Sequence, residues 1–161
     1  MPVARAAAVV VLVIASSCIR LTTASNSTAK SPAPPPREAV KAACKAYETE
    51  IRQTDPDPIV DFSDPSIKDR LTLPSEPHKR TADIPKEVLE VHGWGSGLVG
   101  YVVERDGTIS NVKLLIPSAY PAYDRVFLKS VQDSSFGRGA TLDGEPVRMA
   151  WSVEFVYGGT H

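Results

Sequence analysis

The sequence predicts an α+β domain in the second half of the chain, a three-stranded antiparallel sheet with helices packed on one face. Three observations carry this expectation. In the final segment Val147, Met149, Trp151, Val153, Phe155 and Tyr157 alternate with Arg148, Ala150, Ser152, Glu154 and Val156, the pattern of a half-buried antiparallel strand with its second face in water. Between Tyr120 and Phe136 the period lengthens to that of a helix, placing Tyr123, Phe127 and Val131 on one stripe. The 14 prolines concentrate in the first half and leave long apolar stretches between Leu98 and Tyr157.

The elements follow in order from about Ile84. Pro85 to Val91 suits a short helix, since proline is tolerated in a first turn. His92 to Gly97 is a glycine-rich break. Leu98 to Glu104 is a strand with Val99, Tyr101 and Val103 alternating, and Arg105-Asp106-Gly107 supplies turn chemistry for a hairpin. Ile109 to Ile116 is the return strand, ended by Pro117. Pro121 opens the helix and Gly137 is its expected stop. Asp143-Gly144 then makes the turn into the last strand.

Upstream, residues 1–24 have the pattern of a secretory signal peptide. Arg5 precedes an apolar run from Ala6 to Ala15, and Arg20 interrupts the stretch before it reaches the roughly 20 residues a spanning helix needs. Two processing readings stand side by side. Ala15-Ser16-Ser17-Cys18 resembles a degenerate lipobox that would make Cys18 a lipidation site, and Thr22-Thr23-Ala24 suits ordinary cleavage after Ala24. Residues 25–37 form a proline-rich linker too polar to offset its ordering entropy. Residues 38–53 read as an amphipathic helix with Val40, Cys44, Tyr47 and Ile51 on one face, a stripe expected to dock on the domain or on another chain. Residues 54–83, broken by Pro56, Pro58, Pro65, Pro74 and Pro77, are expected to be irregular. Residues 84–161 form the domain.

Composition narrows the function classes. A net charge of -1 and an isoelectric point near 6.3 leave no electrostatic footprint for nucleic acid, and no polybasic patch marks a membrane surface. Cys18 and Cys44 make no disulfide framework and no zinc spacing; Cys44 reads as a small packing residue. His78, His92 and His161 lie far apart without ligand spacing. Gly93-Trp94-Gly95-Ser96-Gly97 precedes a strand, so it lacks the strand-to-helix geometry of a phosphate loop or a nucleophile elbow. Asp55, Asp57, Asp61 and Asp64 lack the order of a calcium loop and read as solvated. No cofactor and no enzymatic activity are expected.

Several landmarks occur together in order: Ile84-Pro85, the run Gly97 to Ile109 with its alternating strand and Asp106-Gly107 turn, Tyr123-Asp124 opening a helix, Val131 and Phe136, and Asp143-Gly144-Glu145-Pro146-Val147 leading to Val153-Glu154-Phe155. This set resembles the TonB C-terminal domain family over roughly Ile84 to Tyr157. Arg138-Gly139 departs from the family's usual Pro-Ala. The resemblance implies a periplasmic module that binds an outer-membrane receptor or another envelope protein by adding a strand to an open sheet edge. The last strand is the expected edge, with Arg148, Ala150, Ser152, Glu154 and Val156 as its partner-facing residues. The short apolar leader and modest linker argue against a force-transmitting transducer. They point to an exported binding module that meets the membrane only through a lipid at Cys18. The alternative expectation is a structural envelope lipoprotein that self-associates as a homodimer.

Overall fold

A computed structural model describes residues 14–15, 35–62, 64–75, 77–78 and 94–158. Cys18, the cleavage site after Ala24, most of the linker and the short helix expected at Pro85–Val91 lie outside them.

The elements run from β1 (Ile14–Ala15) and α1 (Arg37–Thr54) through the short strands β2 (Ile59–Val60), β3 (Leu71–Thr72) and β4 (Pro77–His78). The long strands β5 (Trp94–Val103) and β6 (Ile109–Ile116) follow, then α2 (Pro121–Gln132), β7 (Ser135–Phe136), β8 (Ala140–Leu142) and the longest strand, β9 (Glu145–Gly158). The class is α+β. Along the main sheet the order is β3-β8-β9-β5-β6, with β1 and β2 also paired to β9, while β4 and β7 form a separate ladder.

Hairpin, helix and final strand are placed as their periodicities predict, and the turn chemistry is legible in the backbone. Gly107 takes a φ of 88° while Asp106 does not go positive, so only one residue of the β5–β6 turn uses left-handed backbone. Asp106 accepts hydrogen bonds from the Thr108 amide and hydroxyl at 2.9 and 2.7 Å. At the β8–β9 turn both Asp143 (53°) and Gly144 (86°) are positive, as a primed two-residue turn requires. Arg70 grips the Asp143 carboxylate there, which ties β3 to the hairpin it pairs with.

Three expectations are corrected. The sheet is wider than three strands, because 54–83 contributes β2 and β3 to it and β4 to the smaller ladder. Prolines thin those ladders to two residues each without preventing them. The glycine-rich stretch 94–97 is not a break but the first part of β5, paired with 155–158 of β9. The helices do not share a face. α2 packs Tyr123, Phe127 and Val131 against Val99, Tyr101, Val103, Met149, Val153 and Phe155. α1 packs Tyr47 and Ile51 against Val102, Ala150 and Ile59 on the opposite side.

That second layer explains Gly100. A Cβ there would lie 2.9 Å from a Leu115 methyl and 3.0 Å from the Tyr47 ring, so glycine lets α1 approach the sheet closely. The Tyr47 hydroxyl donates to the Asn111 carbonyl at 2.7 Å, at a β-bulge where Asn111 takes a φ of 51°. Burial, with the Glu50 charge adding to it, pushes the Tyr47 hydroxyl well above the ordinary tyrosine range, so it remains a donor.

The first core centres on Phe155, which is 1% exposed and stacks on Phe127 with ring centroids 4.1 Å apart. Phe155→Ala should lower unfolding free energy by about 3–5 kcal/mol, the range for a buried phenylalanine. Val156→Ala on the adjacent exposed position should stay within about 1 kcal/mol. Urea unfolding of the two variants checks the contrast.

Candidate interaction edge

β9 is bordered on one side by β5 along 149–158 and is covered above and below by the two helical layers. Its other side is shared out in pieces. β8 pairs with 145–147, β2 runs parallel beside Arg148 and Met149, and Ile14–Ala15 pair antiparallel with Glu154 and Val153. Among the described residues, 150–152 and 155–158 have no ladder partner on that side. An edge of this kind presents unpaired amides and carbonyls to an incoming strand.

The side chains expected to face water along β9 are redistributed by α1. Arg148 is 4% exposed and Ala150 is 9% exposed, so neither is a surface contact. Ser152 is half-buried, with its hydroxyl 3.3 Å from the Cys44 sulfur of α1. Glu154 is half-buried, and Val156 is exposed at 41%. The solvent-facing stripe is thus confined to the end of the strand. The cause is a second apolar layer whose presence the alternation of β9 alone does not reveal. Cys18 lies outside the described residues.

Where a wet face was expected, the chain instead builds an ionic cluster around one buried guanidinium. The Arg148 guanidinium donates to Glu104 at 2.6 and 2.9 Å, to Asp55 at 2.7 Å and to the Asp57 carbonyl at 2.5 Å. A buried guanidinium is tolerated only when its donors are satisfied in this way. Asp57 in turn holds Arg105 in a two-point contact at 2.6 and 2.8 Å, and Ser110 donates to Glu104. Two of the four acidic residues first read as a solvated loop, Asp55 and Asp57, are therefore structural partners. Asp61 reaches Arg52 at 3.4 Å, and Asp64 accepts from the Ser66 amide at 2.8 Å.

The segment carrying those acids wraps the strand edge. Asp55, Asp57 and Ile59 lie on the α1 face, whereas Val60 and Phe62 pack into the core under α2. Phe62 and Trp151 rings meet at 6.2 Å in a tilted contact. The Trp151 indole N–H is buried without a hydrogen-bond partner among the described residues. Among those residues no group of His, Cys, Asp and Glu could hold a metal ion, and no helix is long and apolar enough to cross a membrane.

Comparison with protein-family models, curated proteins and solved structures finds no match for this chain.

The cluster has a defined pH dependence. Hydrogen bonding to Arg148 holds the Asp55 and Glu104 carboxyls below their ordinary values, and Arg105 does the same for Asp57. Depressed native values mean that the unfolded chain binds more protons in this range, so stability falls as pH drops through them. Urea midpoints should decline between about pH 5 and pH 2, and Arg148→Met should flatten that decline. At neutral pH Arg148→Ala should cost about 2–3 kcal/mol, near the low end for a broken buried pair because Glu104 retains Ser110 and some solvent.

Proposed function

We propose that this chain is an exported cell-envelope protein-interaction module resembling the TonB C-terminal domain, binding an outer-membrane receptor or another envelope protein by strand addition in TonB-type transport. The observation that carries the reading is the outer edge of β9 over 150–158, a long strand fully laddered to β5 on one side and, among the described residues, paired on the other only at Val153 and Glu154. In the unprocessed chain Ile14–Ala15 pair with Glu154 and Val153 of this edge, and the processing proposed here removes them. The order β6-β5-β9, with α2, β7 and β8 between the hairpin and β9, is compatible with that resemblance.

Strand addition draws affinity from backbone hydrogen bonds and specificity from the alternate side chains beside them. With Arg148 and Ala150 buried, selection falls to the later positions, Glu154 and above all Val156. The module works from the periplasm, either free after cleavage behind Ala24 or tethered through a lipid on Cys18. It has no catalytic role in this account.

Titration of the isotope-labelled chain with extended peptides from the periplasmic segments of outer-membrane receptors tests the proposal. Amide shifts and slowed exchange should concentrate in 150–158, and Val156→Asp should weaken binding about tenfold, equivalent to about 1.4 kcal/mol, with unchanged stability. Peptide responses that avoid β9 would sink the reading.

A further inference from the structure

The segment 55–62 is fastened to β9 at three kinds of contact, each local. On one face Asp55 and the Asp57 carbonyl take two of the Arg148 contacts, and Ile59 enters the α1 core. At the edge itself, Ile59 and Val60 make a two-residue parallel ladder opposite Arg148 and Met149. On the other face Phe62 lies against Trp151. The segment thus passes around the strand edge from one side of the sheet to the other.

This attachment differs from the rest of the sheet. The β5–β9 ladder runs the full length of β5, whereas β2 is short and parallel, and most of what holds it is side-chain contact. Regions with short ladders and few backbone bonds open at free energies below the global one. Charged groups around the fastening are Arg148, Glu104, Arg105, Asp55 and Asp57, with Arg52, Asp61 and Glu48 flanking it. Asp55 and Glu104 share Arg148, Asp57 takes Arg105, and Asp61 and Glu48 share Arg52, so each carboxylate of the closed position lies beside an arginine.

We propose that residues 55–62 form an intramolecular clasp on β9, closed by the Arg148 contacts and by Phe62 on Trp151, which opens as a unit and competes with an incoming strand for the edge. Closed, the clasp occupies β9 at Arg148 and Met149 and sets where an added strand must end. Open, it extends the available edge back to Arg148 and uncovers the Trp151 ring. The inference rests on the strand-addition reading for its consequence, but the opening is a property of the free chain.

Amide hydrogen exchange on the full chain, compared with Asp55→Asn, Phe62→Ala and the double variant, tests it. Neither position lies on the strands of the main sheet. In the unaltered chain the Ile59 and Val60 amides should exchange at least about tenfold faster than the β5–β9 ladder, as a local opening requires. Each variant should raise the clasp rates further and leave the β5–β9 rates within about twofold. Clasp amides that exchange at the same rate as the β5–β9 ladder in every form would overturn the proposal. The receptor peptides then separate the two readings. Tighter binding by the double variant supports the competing clasp. Peptide binding at 150–158 with equal affinity in all forms refutes competition while leaving strand addition intact. Failure of every form to bind, alongside fast clasp exchange, removes strand addition and with it the competition, while the local opening stands.

Discussion

A guanidinium buried on the longest strand is the constraint around which the second layer of this protein is arranged. Arg148 sits between Val147 and Met149, on the face away from α2, where it is nearly sealed from solvent. It can occupy that place only because Glu104 from the β5–β6 turn and Asp55 from the end of α1 reach it together. The same contacts fix where α1 ends, bring Asp57 and Arg105 into a two-point pair and lay Ile59 and Val60 along β9. A charge that would be unfavourable alone becomes the tie between the helix, the hairpin turn and the sheet.

The two faces of the sheet are stabilised differently. Under α2 the contacts are aromatic and aliphatic, with Phe127 on Phe155 and Tyr101 near Phe136. Burial of such surface stabilises a fold without directional demands. Under α1 the apolar contact is smaller, Tyr47 and Ile51 over Gly100, Val102 and Ala150, and polar contacts specify its position. The Tyr47 bond to the Asn111 carbonyl, the Lys113–Glu50 pair and the Arg148 cluster all lie along this layer. The α1 layer is therefore the more responsive to acid, and the α2 layer to the loss of core volume.

Much of this was legible in the sequence. The alternation of Val147 to Phe155, the Asp106-Gly107 and Asp143-Gly144 turns and the Tyr123–Phe127–Val131 stripe each identify their element, because period and turn chemistry are local properties. The stripe of Tyr47 and Ile51 also identifies a docking helix, but not which face it covers. That choice depends on Gly100 and Ala150, small residues whose meaning emerges only when β5 and β9 lie side by side. The Arg148 cluster was hidden for a related reason. Its members come from positions 55, 57, 104 and 148, and an arginine among alternating polar residues reads as solvent-facing until a second layer covers it. The short strands of 54–83 were missed because two-residue ladders beside prolines carry no periodic signal.

β9 is laddered to β5 on one side, and among the described residues its other side beyond Met149 is paired only at Val153 and Glu154. Residue-resolved amide exchange along β9 tests this most directly, since successive amides in a strand point to opposite neighbours. An alternating pattern is expected over 150–158, with amides facing β5 protected to the limit of global unfolding and those facing outward exchanging orders of magnitude faster. The two-residue ladder with Ile14–Ala15 should add little protection. Uniform protection of every β9 amide would mean instead that the edge is already filled and cannot take an added strand.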